Sequence, residues 1–151
     1  MKQIITFLSI LITFPLLYAQ EIDIAAIPSA VMDKFTLLYP DAKSISWKIT
    51  EEKYKAEFKN DKMSTMALMA SDGSLLQTET QIKITALPEP ALAYLLDKFE
   101  DKKIGPATII ENKAGIITFE AVADKVDYTF DASGQVMDMN ELAVDSRYKV
   151  E

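Results

Sequence analysis

A chain of 151 residues is long enough for one domain of ordinary size or two small ones sharing a core, and 49% hydrophobic with 26% charged residues is the balance of a globular protein. A net charge of −7 at neutral pH repels phosphate backbones, which sets nucleic acid aside as a partner and disfavours broad adhesion to anionic lipid. The chain has no cysteine and no histidine, which removes thiolate nucleophiles, disulfides, cysteine zinc sites, a cysteine-linked lipoprotein anchor, the commonest general base and the commonest metal ligand.

Residues 1–19 read as a secretory signal peptide. Lys2 supplies the positive start, Ile4 to Tyr18 is almost wholly apolar, and Ala19 places a small residue before Gln20 and Glu21. That apolar run is short for a membrane span of about twenty residues, so cleavage is expected rather than anchoring, and no span remains in the mature chain. Loss of Lys2 with the leader makes the mature chain more acidic by one charge. The destination is extracytoplasmic, periplasmic or secreted, where a cysteine-free chain must hold itself together by its core.

Residues 20–26 form a short lead-in to a first helix. Pro28 suits the first helical position, where its missing N–H costs nothing. Val31, Phe35 and Leu38 follow at helical spacing, with Ile27 and Tyr39 extending the stripe, and Pro40 ends it. Then come four strand-like runs. In SISWKI, Ile45, Trp47 and Ile49 alternate with polar residues, and in KYKAEFK, Tyr54, Ala56 and Phe58 do the same. Short polar turns at Glu51-Glu52 and Asn60-Asp61 suggest hairpins. Residues 63–70 break the alternation, with Thr65, Ala67 and Met69 on one face and Met66 and Leu68 on the other. Ser71-Asp72-Gly73 is a turn, and Leu75 to Thr80 the fourth strand.

After a linker at 82–86 the pattern returns. Leu87-Pro88 echoes Ile27-Pro28, Leu92, Leu95 and Phe99 recur at helical spacing beside Ala91 and Leu96, and strands are predicted at 107–111, 116–122, 125–131 and 135–140. The Asp131-Ala-Ser-Gly134 turn echoes Ala70-Ser-Asp-Gly73. The expected fold is therefore α+β: two tandem repeats of one helix plus a four-stranded antiparallel sheet, at 20–82 and 83–141, with the helices on one face of the sheet and a C-terminal tail at 142–151.

The run Tyr39-Pro40-Asp41-Ala42, the strand Trp47, the Tyr54 to Phe58 spacing and the Asp72-Gly73 turn together resemble the PepSY-like family of small secreted bacterial domains, related in shape to the beta-lactamase-inhibitor-protein fold. The match is good over 27–80 and weaker over 87–139, where the Tyr-Pro turn and the Trp are missing. The resemblance implies a curved eight-stranded sheet with both helices on one face. It also implies a binding or inhibitory role, because the related inhibitor fold grips an enzyme with its concave sheet. It brings no catalytic residues.

Trp47, Tyr54 and Phe58 share the parity of the helix-covered face, so they are read as core rather than as a ligand platform. The methionines are scattered and are read as packing residues. Glu120, Asp127, Asp131 and Asp138 supply oxygen ligands but no calcium loop, so no metal and no cofactor is expected. Lys48, Lys53, Lys55 and Lys59 form a basic stripe beside Glu57 on the uncovered face. No phosphate-cradling or nucleophile motif occurs.

The function read from these residues is a non-catalytic secreted or periplasmic module that binds a protein through its open sheet face. The candidate face comprises Lys55, Glu57, Lys59, Met66, Leu68, Thr118, Glu120, Asp127 and Thr129, an apolar centre with a charged rim. The competing readings are a carboxylate-dependent extracytoplasmic hydrolase, which needs convergent acids in a pocket, and a domain holding a small ligand between sheet and helices.

Overall fold

The structure, a computed structural model, describes residues 24–99 and 104–137. Each helix is led in by a single 3-10 turn, Ile24–Ala26 before α1 (Ser29–Leu38) and Ile84–Ala86 before α2 (Glu89–Lys98). Pro28 and Pro88 sit at the caps, one position before the first helical residue. Their carbonyls accept the first intrahelical bonds, from Met32 N at 3.1 Å and Leu92 N at 3.0 Å. Ten residues are too few for a helix to hold alone in water. Each is fixed by what it buries, Val31 and Phe35 from α1, Ala91 and Leu95 from α2.

The strands are β1 (Lys43–Thr50), β2 (Lys53–Asn60), β3 (Met63–Met69), β4 (Leu75–Ile82), β5 (Ile104–Asn112), β6 (Ile117–Ala123) and β7 (Val126–Asp131). They form one antiparallel sheet of seven strands in sequence order. Two-residue turns close three of the hairpins. Glu51-Glu52, Asp61-Lys62 and Asp124-Lys125 all have positive φ, between 48° and 68°, the left-handed geometry whose twist matches the strands it joins. The second of these turns lies one residue beyond the expected Asn60-Asp61, because Asn60 still pairs with Met63 in the ladder.

The expected fold class is corrected in one respect that matters. Among the described residues there are neither two repeats of one helix plus a four-stranded sheet nor an eight-stranded sheet, and the fold is mostly β: Gln77–Ile82 of β4 pairs directly with Ala107–Asn112 of β5, so one seven-stranded sheet runs unbroken from β1 to β7. The cause is the route of the chain: α2 lies over one face, and β5 follows it antiparallel beside β4, so the two sets of strands join in one ladder. The strand expected at 135–140 is represented by an isolated bridge from Val136 to Phe130 and a bond from Met137 N to Thr129 O at 2.8 Å; its remainder lies outside the described residues. β5 begins earlier than expected, at Ile104, and absorbs Gly105 and Pro106 in a bulge before Ala107. The leader read at 1–19 and the tail at 142–151 also lie outside the described residues.

Both helices lie on the same side of this sheet. α1 packs with Trp47, Ala56, Phe58, Ala67 and Met69, and α2 with Ala107, Ala121, Ala123 and Phe130. The cross-strand register confirms the shared face, since Trp47 stands opposite Ala56, Ala56 opposite Ala67, Ala107 opposite Ala121 and Phe119 opposite Phe130. Between the two clusters Thr65 and Thr80 face each other at 3.5 Å between hydroxyl oxygens. Leu38, expected inside, is 38% exposed, because α1 turns its Val31–Phe35 edge to the sheet and ends there.

Candidate functional site

The other side of the sheet carries no helix among the described residues, and its residues follow directly from the pleat. One row crosses all seven strands: Ser46, Glu57, Met66, Glu79, Ile110, Thr118 and Asp131, each opposite the next. A second row runs Lys55, Leu68, Gln77, Asn112, and a third Gln81, Thr108, Glu120, Thr129. All nine residues of the sequence-derived candidate face therefore stand on this one side. They do not all touch. Lys55, Glu57, Lys59, Met66 and Leu68 occupy β2 and β3, whereas Thr118, Glu120, Asp127 and Thr129 occupy β6 and β7. What joins them was not singled out from sequence: Gln77, Glu79 and Gln81 on β4, and Thr108 and Ile110 on β5. The polar alternation of LeuGlnThrGluThrGln was the available signal for β4. The mixed run AlaThrIleIleGlu of β5 offers none.

The apolar groups of this face are Met66, Leu68, Ile110 and Val122, all half-buried. A groove of about 430 Å³ lies at its β1–β5 end, lined among others by Ser46, Lys55, Glu57, Met66, Glu79 and Thr108. Thr118 is 4% exposed although no helix among the described residues lies on this face.

Charge is sorted across the strands. Over β1 and β2, Lys48 Nζ donates to Glu57 Oε2 at 2.8 Å and Lys55 Nζ lies 3.1 Å from Glu57 Oε1. Lys59 donates to Ser64 Oγ. The Lys48 hydrogen bond, followed by those of Lys55, holds the Glu57 carboxyl below its ordinary value. Over β4, β6 and β7 stand Glu79, Glu120 and Asp127. Burial pushes the Glu120 carboxyl up, and the nearby charges of Glu79 and Asp127 add to it. Glu79 accepts a 2.8 Å hydrogen bond from Gln77 Nε2. The two ends of one face thus differ in sign and in how far their charges are satisfied.

The remaining residues singled out from sequence are placed as follows. Trp47 and Phe58 are buried on the helix side and Tyr54 is half-buried there. Met69 is buried, Met66 is on the open face, and Met63 is 43% exposed at the start of β3. Asp131 Oδ1 accepts from Ser133 N, Ser133 Oγ and Gln135 N at 2.7–3.0 Å, which holds its turn and keeps its carboxyl low. Asp138 lies outside the described residues. Among the described residues no three acidic side chains converge as a cation cage, and no helix is long and apolar enough to cross a membrane.

No protein-family model and no curated protein matches this chain. Several solved structures share its fold. A BLIP-like protein of Bacteroides fragilis aligns with a TM-score of 0.59 and 24% identity, over 74% of this chain and 84% of that one. A Bacteroides eggerthii protein described as periplasmic aligns with a TM-score of 0.64 and 18% identity, over 74% and 86% of the two chains. A DUF2874 family protein of Bacteroides ovatus gives 0.61 at 16% identity, over 83% and 98%. At these identities the likeness is one of fold: this chain has a BLIP-like sheet and helices.

Proposed function

We propose that this chain is a non-catalytic periplasmic module that binds a protein partner through the open face of its sheet. The observation that carries the reading is the unequal treatment of the two sheet faces. All the helix packing is on one side, while the other keeps Met66, Leu68, Ile110 and Val122 half-buried among sorted charges. Three further observations support it. Residues 1–19 read as a leader that would carry the chain out of the cytoplasm, one structural neighbour is described as periplasmic and another as BLIP-like, and Tyr39-Pro40 and Asp72-Gly73 resemble the pattern of a family of small secreted domains. The partner's chemistry follows from the face. It presents an apolar ridge to the centre, basic groups to Glu79, Glu120 and Asp127, and acidic groups to the Lys48–Lys55 end.

Two pairs of substitutions test this. Met66→Ser with Leu68→Ser removes the apolar centre, and Glu79→Lys with Glu120→Lys reverses the acidic end. Both should leave the melting temperature within a few degrees of the parent, since neither pair lies in a helix-covered core. Both should lose a partner that the parent chain retains from a periplasmic extract, with binding by the parent weakening as salt rises. A large loss of stability would show Met66 and Leu68 to be core instead. Unchanged retention by both folded variants would remove the open face from the interaction.

A further inference from the structure

A second groove, of about 490 Å³, opens at the end of the sheet where β2 turns into β3 and β4 leaves for α2. Its floor is apolar: Met63 at the start of β3, Ile82 at the end of β4 and Ala86 in the 3-10 turn before α2. Met63 is 43% exposed and Ile82 half-buried, so the floor offers uncovered hydrocarbon. Lys59, Lys62 and Lys83 stand around it, with Ser64 and Gln81 as neutral hydrogen-bonding groups.

The backbone fixes where the three lysines are rooted. Lys59 pairs with Ser64 across the β2–β3 ladder and donates to its hydroxyl. Lys62 is the second residue of the Asp61-Lys62 turn, held at φ 68°. The carbonyl of Lys83 accepts from Ala86 N at 2.8 Å, closing the turn that carries Ala86. Among the described residues no carboxylate lines this groove, and neither Lys62 nor Lys83 is ion-paired with one. The acids of this end, Asp41 and Asp61, line the adjoining groove on the β1 side together with Lys43. That groove carries both signs, whereas this one carries only positive charge. On a chain of net charge −7 it is a local exception.

We propose that this groove binds a small aliphatic carboxylate, with its hydrocarbon on Met63, Ile82 and Ala86 and its charge among Lys59, Lys62 and Lys83. Charge complementarity selects the anion. Clustered ammonium groups repel one another, and a carboxylate between them relieves that repulsion. Each ammonium rides a flexible four-carbon stem, so the heads can turn toward one carboxylate. The floor selects the tail, because the lysine stems extend its hydrocarbon surface while their heads stay in water. The groove is open to solvent, so its affinity is modest and falls with salt. Apart from Lys59, none of these six residues belongs to the candidate protein-binding face, so the site stands whether or not that face binds a protein.

Octanoate is the probe, followed through the amide chemical shifts of the mature chain by NMR. It should move the Met63, Ile82 and Ala86 amides saturably, with a dissociation constant on the order of millimolar. Acetate, which lacks the tail, and 1-octanol, which lacks the charge, should each bind at least about fivefold more weakly. Lys62→Gln with Lys83→Gln should weaken octanoate binding about tenfold while the melting temperature stays within a few degrees of the parent. Should the change at Lys62 disturb its turn, Lys59→Gln with Lys83→Gln replaces that pair. No saturable shift at these amides would overturn the proposal. Equal binding of 1-octanol, or octanoate binding retained in full by the folded double variant, would overturn it too. Displacement of octanoate by a lower concentration of hexaglutamate would assign the groove to an acidic protein segment instead. Sedimentation of the parent chain, but not the double variant, with phosphatidylglycerol vesicles would assign it to a lipid surface, and either result sinks the free carboxylate.

Discussion

The half of the molecule under α1 and the half under α2 solve the same burial problem with different side chains. Under α1 the filling is aromatic: Phe35 has its ring centre 5.0 Å from Trp47, 5.0 Å from Phe58 and 5.3 Å from Tyr39, with Ala56 and Ala67 leaving room on the strands. Under α2 the floor is alanine, at 107, 121 and 123, and the buried bulk is Leu95 and Phe130. A flat floor lets a helix sit close and needs few large groups. A floor bearing Trp47 and Phe58 instead needs a helix that inserts a ring between them. The aromatic half concentrates its contacts on one residue, whereas the alanine half spreads them.

That difference sets the largest expected effect. Phe35→Ala should cost about 4 kcal/mol, because it strips three ring contacts at once and leaves a cavity rigid aromatics cannot close. Leu95→Ala should cost about 3 kcal/mol, since small neighbours can settle toward the gap. Urea melts of the two variants provide the check. Equal losses would mean that the concentration of contacts on Phe35 has no energetic consequence.

The two glycine turns sharpen the same comparison. Gly73 at φ +86° passes so near the first turn of α1 that a Cβ would lie 2.5 Å from the Ala30 carbonyl oxygen. Gly134 at φ +87° approaches α2, where a Cβ would lie 2.9 Å from Ala91 N and from Pro88 Cβ. Any side chain also meets the left-handed penalty of ~1–2 kcal/mol. Gly73→Ala should therefore cost about 3 kcal/mol and Gly134→Ala about 2 kcal/mol. Thermal unfolding would show it as a larger drop in Tm for the first, and the reverse order would mean that the α2 turn is the tighter one.

Much of this was legible because side-chain periodicity is local. Val31 and Phe35, Ala91 and Leu95 mark helix faces by spacing alone. The period of two in β2 and β3 put Lys55, Glu57, Met66 and Leu68 on one side before any strand order was known. Pairing of β4 with β5 was not legible, since a 21-residue excursion through α2 separates Ile82 from Ile104 and nothing in either strand names its neighbour. The centre of the open face, Glu79 and Ile110, was missed for that reason. Thr65 shared the helix-side parity of Ala67 and Met69 and is buried there, whereas Thr118, placed on the open face by its parity, is buried all the same.

The smallest effect separates the two halves by sign. On the α1 side, Glu57 is held low by Lys48 and Lys55, so its ionised form favours the folded state. That contribution is full above the unfolded value near 4.5 and is lost as pH falls through the depressed folded value. On the α2 side, Glu120 is pushed up by burial and by Glu79 and Asp127. The folded state then holds its proton more tightly than the unfolded chain, and stability declines as pH rises from about 4.5 through the raised value. Glu57→Gln should therefore lower Tm at pH 7, and Glu120→Gln should raise it, each by ~1–3 °C given the exposure of both sites. Below both carboxyl ranges the two variants should converge on the parent. Melting curves at pH 3 and pH 7 decide it. If Glu120→Gln lowers Tm at neutral pH, its carboxylate has a partner on that face, and the acidic end is as well satisfied as the basic one.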